Sequence, residues 1–244
     1  MNPMQRTIQK TKRSKVPGIV IFDIDQTLVH AFAIHNQATS ATLRSVFGIS
    51  GSLLDIDYEG RTIKVNLFNI LKKHGVKQRV ITSLLQKAIK IYDKEFDKAL
   101  KCSRKQLLIP GAKDAVIAAK QAGNILCIVT GGTPHVAKKL LITVGLASYF
   151  DVFVFGTESN DRAKLLRHAI SKARKIAGYQ ILRKHIISVG DSIHDITAAQ
   201  ANKIRIIAVC TGSTRYTRLK KVCPDYIVKN LMDPCVPALI GGWL

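Results

Sequence analysis

Acid is what this chain has least of. Against 38 lysines and arginines stand 16 aspartates and glutamates, a net charge of +22. A surface so poor in negative charge excludes recognition of basic partners by complementarity. It favours phosphorylated molecules, nucleic acid or anionic membranes, and charge alone does not choose among these or against a general basic bias with no dedicated partner. Aromatics are also sparse: eight Phe, six Tyr and one Trp. No strand is studded with them, as a base-stacking platform requires. No apolar run reaches membrane-spanning length, so no transmembrane helix is expected.

Cysteine is present but unpatterned. Cys102, Cys127, Cys210, Cys223 and Cys235 form no Cys-x-x-Cys pair and no zinc spacing with histidine. Cys127 and Cys210 sit in apolar runs and read as small core residues. An odd count without a secretory signal points to a reducing, cytoplasmic setting. Residues 1–17 hold Arg6, Lys10, Lys12, Arg13 and Lys15, with no acid and no apolar h-region. This is not a secretion signal. It reads as a flexible basic arm, with an organelle address or a nucleic-acid-touching tail as the other readings.

What is there is rhythm. Six short apolar runs read as strands: Ile19–Ile24, Ile125–Thr130, Val152–Phe155, Ile186–Gly190, Arg205–Val209 and Tyr226–Val228. Helical patterns lie between them, near Ala112–Ala122, His135–Val144, Ala163–Ile176 and Ile193–Ala201. The alternation predicts an α/β fold, a Rossmann-like doubly wound parallel sheet covered on both faces. From about Ala31 to Lys105 the rhythm stops. Ser40–Phe47, Ile63–His74 and Ser83–Lys101 read as helices, and Leu85, Ile89, Tyr92, Phe96 and Ala99 form an apolar stripe in the last of these. Lys87, Lys90, Lys94, Lys98 and Lys101 occupy the other side, a solvated face. The expected organisation is therefore an arm at 1–17, a core of 18–30 and 106–244, and an inserted α-helical cap at 31–105. Val29–Ala33 and Pro110-Gly111 would be its hinges.

The scarce acids are concentrated where chemistry is expected. Asp23 and Asp25 leave the first strand, and Asp191 and Asp195 follow the fourth. Ligands bind outside the carboxyl ends of such strands. Like charges this close repel when buried, and a hard divalent ion such as Mg²⁺ is the simplest compensation. One carboxylate can then attack phosphorus while the other handles a proton. The second strand ends at Thr130-Gly131-Gly132-Thr133-Pro134, which offers a hydroxyl, closely approachable N–H groups and a good helix cap. After the third strand, Lys164 could neutralise a phosphate, with Arg162 a nearby competitor. Asp191 alone would serve as readily as an N-cap. His194 reads as a surface or helix-capping residue.

These elements, in this order, resemble the haloacid dehalogenase-like hydrolase superfamily. Asp23-Ile-Asp25-Gln-Thr27-Leu28 matches its first motif, Thr130 the second, Lys164 the third, and Gly190-Asp191 with Asp195 the fourth. The cap, Leu108-Ile-Pro-Gly111 and Gly60-Arg-Thr62 resemble the phosphoglycolate-phosphatase-like branch, though Lys64 stands where an acid is usual. The resemblance implies that Asp23 is the nucleophile and Asp25 the acid and base. It implies Mg²⁺ held by Asp23, the Asp25 carbonyl and Asp191, phosphate held by Thr130, Gly131 N–H and Lys164, and Asp195 orienting this shell. An acid at position 25 demotes the dehalogenase and phosphonate-cleaving readings and keeps a phosphomutase.

The leading expectation is a Mg²⁺-dependent phosphatase for a small phosphorylated metabolite. A phosphatase acting on nucleic-acid ends or macromolecules, favoured by charge but obstructed by the lid, ranks second. A non-enzymatic basic binding module on a retained fold ranks third. The sequence carries no signal for oligomeric state.

Overall fold

The computed structural model describes residues 17–103 and 106–241. The expected N-terminal arm lies, but for Pro17, outside the described residues. Six strands form one sheet: β1 (Ile19–Phe22), β2 (Ile125–Thr130), β3 (Val152–Phe155), β4 (Ile186–Gly190), β5 (Arg205–Val209) and β6 (Tyr226–Val228). Their order is β3-β2-β1-β4-β5-β6, and every pairing is parallel. The chain reverses its direction of sheet growth between β1 and β4, which makes the crevice between them the expected ligand position.

The strands are apolar throughout because both faces are covered. Val20 and Phe22 point to one layer, with α4 (Ala112–Gln121), α5 (Pro134–Thr143) and α9 (Cys235–Gly241). Ile19 and Ile21 point to the other, with α6 (Arg162–Ala177), α7 (Ile193–Ala201) and α8 (Tyr216–Lys221). Cys127 is fully buried there, whereas Cys210 is only half-buried at the end of β5, not a core residue as its apolar run suggested.

Between β1 and α4 the described chain is helical: α1 (Phe32–Phe47), α2 (Ile63–Lys73) and α3 (Gln78–Cys102). α1 begins eight residues earlier than the pattern indicated, because polar His35, Asn36 and Gln37 interrupt its periodicity. In α3 the stripe is buried at Leu85, Tyr92, Phe96 and Ala99, and the five lysines are exposed. These helices share one continuous apolar cluster with the sheet face. The two connecting segments pair with each other. Val29 bridges Leu108 in antiparallel fashion, His30 N donates to Leu107 O (2.7 Å), and Ile109 N donates to Leu28 O (2.9 Å).

Candidate active site

Asp23 follows β1 directly, and its N–H donates to Val189 O of β4 (3.0 Å). Asp191 follows β4, and Thr27 Oγ1 donates to its Oδ1 (3.2 Å). Gly212 packs so tightly on the Asp191 carboxylate that a Cβ there would collide with it. Asp195 stands on the first turn of α7. Ser192, not Asp191, is the N-cap, and it forms a reciprocal capping box with Asp195.

Oxygens of Asp23, Asp191 and Asp195 all lie within 4.8 Å of one another, and all three residues are buried. Burial raises the Asp23 carboxyl to about 7, against the pull of Arg162 and with help from Asp195 and Asp25. Asp191 is raised well above the usual carboxylate range by burial, then by Asp23 and Asp195. A group of buried oxygens whose charge is this poorly compensated fits a hard divalent cation.

Arg162 supplies the positive charge that is present. It is the first residue of α6 and is buried. Its Nη2 donates to Asp23 Oδ1 (2.5 Å) and to Asp195 Oδ1 (2.7 Å), and its Nε donates to the same Asp195 oxygen (3.0 Å). The other Asp195 oxygen accepts from Ser192 Oγ (2.6 Å) and N (3.2 Å). Asp195 thus holds the guanidinium beside Asp23. Lys164, two residues on, is exposed and does not line the cavity. The structure therefore brings Arg162, not Lys164, to Asp23. The reason is helical phase: two residues along a helix rotate a side chain to another face.

The Asp25 side chain takes a separate path. His35 Nε2 lies 2.6 Å from Asp25 Oδ1, and His35 Nδ1 lies 2.5 Å from the Tyr92 hydroxyl. The two ring nitrogens thus link Asp25 to the buried Tyr92 hydroxyl. His35 sits on α1 and Tyr92 on α3, so two cap helices hold Asp25. His35 and Tyr92 escaped functional notice in the sequence. Tyr92 read as part of an apolar stripe, and a lone histidine carries no motif. The separation of ten residues from Asp25 to His35 was the available signal.

Thr130 is buried at the end of β2, and its Oγ1 accepts from Gly132 N (3.1 Å). Thr133 caps α5 with Pro134 in its first turn. Gly131 is a contact point between core and cap. Its carbonyl accepts from Ile63 N (3.1 Å), and a Cβ on it would run into the Arg61 carbonyl. Further contacts seat the same cap loop: Tyr58 OH with Ser213 Oγ (3.1 Å), Glu59 with Thr214, and Thr62 Oγ1 with Asn160 Oδ1 (3.3 Å). Gly60, at φ +61°, lies against Ser192 and His194. His194 is neither surface nor cap. It is half-buried under this loop, and burial followed by the Arg61 charge holds its pKa down.

Core and cap leave a cleft of about 90 Å³ between them, room for a small polar group rather than a bulky one. Asp23, Asp25, Thr130, Arg162 and Asp191 line its core side; His35, Tyr58, Arg61 and Asn66 line its cap side. Arg61 Nε and Asn66 Oδ1 are buried without a hydrogen-bond partner among the described residues. Lys64 is exposed and outside this cavity.

Residues 20–209 match the family described as haloacid dehalogenase-like hydrolase. A phosphoglycolate phosphatase of Agrobacterium fabrum is 29% identical over 215 residues, covering 87% of this chain and 88% of its own. A protein provisionally named pyrophosphatase PpaX, from Caldanaerobacter subterraneus subsp. tengcongensis, is 24% identical over 213 residues, with 87% and 90% covered. The crystal structure of CbbY from Rhodobacter sphaeroides in complex with phosphate superimposes with a TM-score of 0.72 at 17% identity, over 89% of this chain and 96% of that one. At that identity the likeness is one of fold.

Proposed function

The chain belongs to the haloacid dehalogenase-like hydrolases, and from that premise we propose that it is a phosphatase hydrolysing a small phosphate monoester at Asp23 with the help of Mg²⁺. The observation that carries this reading is the meeting of Asp23, Asp191 and Asp195 at the carboxyl ends of β1 and β4, with Arg162 bridging Asp23 and Asp195.

A cation would be held by Asp23, Asp191 and the Asp25 carbonyl, and when bound it supplies charge neutralisation at the phosphate and the nucleophile. In the first half of the reaction, an Asp23 carboxylate oxygen attacks phosphorus in line and the ester P–O bond breaks. Asp25 gives its proton to the departing oxygen. In the second half, Asp25 takes a proton from water and the water oxygen attacks phosphorus. The bond to Asp23 breaks, phosphate leaves, and both carboxyls return to their starting states. Arg162, the Thr130 hydroxyl and the Gly131 N–H hold phosphoryl oxygens as charge builds on them. His35, acting through Asp25, fixes the proton carrier. The cap loop excludes water and bulky leaving groups.

The curated relatives support a small phosphorylated substrate. The test is phosphate release from an aryl phosphate, phosphoglycolate and pyrophosphate, each with and without Mg²⁺. Cation-dependent turnover abolished by Asp23→Asn supports the reading. No turnover of any phosphate ester by well-folded protein with Mg²⁺, Mn²⁺ or Co²⁺ overturns it.

A further inference from the structure

A second groove opens at the opposite edge of the sheet, where β4 and β5 begin. Its floor is Ile170, Ile186 and Ile204, all recessed, and its walls carry Arg167, Arg174, Lys175 and Arg183. Among the described residues, no acidic side chain lines it. The whole stretch from Arg162 to Lys184 holds eight lysines and arginines and no aspartate or glutamate. Tyr179 stands on the rim, 42% exposed, and Ser171 and Gln180 add uncharged polar groups. Arg174 Nη2 donates to Ile181 O (2.7 Å), which fixes the guanidinium, while its Nε is buried without a hydrogen-bond partner among the described residues. His185, close by, has its pKa lowered by burial and then by the Lys184 and Arg205 charges. Ile19 pairs with Ile186, so the chain enters β1 beside the groove floor, and the sequence of residues 1–18 has five basic side chains and no acid.

Nothing in the catalytic chemistry uses this feature. It lies a strand length away, about 15 Å, from the site at the carboxyl ends. Like charges gathered on one groove repel, and the arrangement is favourable when a polyanion lies between them. Three polyanionic occupants compete. An acidic protein would need matching carboxylates but no aromatic rim. A bilayer would meet Ile176 and Leu182, which are exposed nearby, yet a plane cannot follow cations into a concavity whose floor is recessed. A single nucleic-acid strand is thin enough to enter, carries regularly spaced phosphates for the four cations, and presents bases to Tyr179. We propose that this groove binds single-stranded nucleic acid, independently of catalysis and without passing through the capped site.

The experiment is fluorescence anisotropy of the full chain with a labelled single-stranded RNA of about 15 nucleotides, repeated with DNA of the same sequence. Four phosphate contacts predict a loss of about 50-fold in affinity between 50 and 200 mM salt. The triple variant Arg167→Glu/Lys175→Glu/Arg183→Glu should bind at least tenfold more weakly. Tyr179→Ala, an exposed single change that leaves the charge intact, should weaken binding about fivefold or more. The control Lys87→Glu/Lys90→Glu/Lys94→Glu makes the same charge change on α3 and should lose less than threefold. Circular dichroism melts of each variant separate binding from unfolding; if the groove triple variant unfolds, Tyr179→Ala and Arg167→Ala decide. RNA and DNA binding alike supports the proposal, and preference for one names the strand. Equal losses in the two triple variants reduce the effect to bulk charge and overturn it. So does absence of wild-type binding at 50 mM salt, or groove variants that bind like wild type. Vesicles with anionic lipid form the last arm: groove-dependent vesicle binding with unaltered RNA binding also overturns it.

Discussion

Arg162 Nη2 lies 2.5 Å from Asp23 Oδ1, an ion pair whose side chains are 8% and 10% exposed. A guanidinium so placed can neutralise Asp23 and, in the proposed reaction, face a bound phosphoryl group, while its Nη2 and Nε are both held by Asp195. A lysine, with a single nitrogen, would lose the additional Nε contact that fixes the plane of the guanidinium.

Arg162→Ala should lower kcat/KM at least 100-fold, roughly 3 kcal/mol, and should lower the melting temperature because Asp195 is left buried without its partner. Arg162→Lys should recover part of the activity. Lys164→Ala should match wild type within about twofold, as expected of an exposed side chain. Steady-state kinetics on an aryl phosphate across the three variants checks the assignment.

The elevated carboxyls give the metal-free protein a pH signature. Asp23 titrates near 7 when folded against 3.8 as a reference value, and Asp191 shifts in the same direction. A carboxyl raised on folding favours the folded state at pH below the unfolded pKa. That advantage is lost as pH rises through the folded pKa. Melting temperature in a chelator should therefore fall between about pH 4 and pH 7 and level off above. Asp23→Asn should flatten the slope. Mg²⁺ should raise the melting temperature more at pH 8 than at pH 5, because protonated carboxyls bind no cation.

His35→Ala removes the group that holds Asp25 and leaves the Tyr92 hydroxyl buried without its partner. The expected result is a fall in kcat of about tenfold with a smaller change in KM, plus about 1–3 kcal/mol of lost stability. Tyr92→Phe combined with His35→Ala should cost less than the sum of the two, since they share one chain of hydrogen bonds. A double-mutant cycle on kcat and on chemical denaturation measures the coupling.

Gly131→Ala should separate folding from closure. An added methyl would collide with the Arg61 carbonyl and press on Thr62, so the cap loop cannot seat. β2, which ends at Thr130 just before the turn, should fold nearly as before. We expect kcat/KM to fall at least 100-fold while the melting temperature moves by a few degrees.

Much of this was legible beforehand, and the reasons are specific. β1 and β4 announced themselves as short apolar runs ending in acid, since a doubly covered parallel strand leaves no room for alternation. The motif acids Asp23 and Asp191 could be paired across 168 residues because the crevice position follows from strand order. The phosphate-side cation could not be chosen. Arg162 and Lys164 differ by two positions, and only the start of α6 at Arg162 fixes which one turns inward. The start of α1 was hidden for a related reason: His35, turned towards Asp25, reads as a break in an apolar face. Local functional demands obscured the local pattern in both places.

The paired segments at Val29 and Leu108 set the mechanics of the lid. Because the two connections are stitched together by backbone hydrogen bonds, neither can swing without carrying the other. If the cap opens, the helices they support would therefore turn together, as a door does on one pivot. Such an opening would withdraw Tyr58, Glu59 and Thr62 from Ser213, Thr214 and Asn160 together, and His35 from Asp25 with them. Admission of a substrate and release of Asp25 would then be one event, timed by the same pivot.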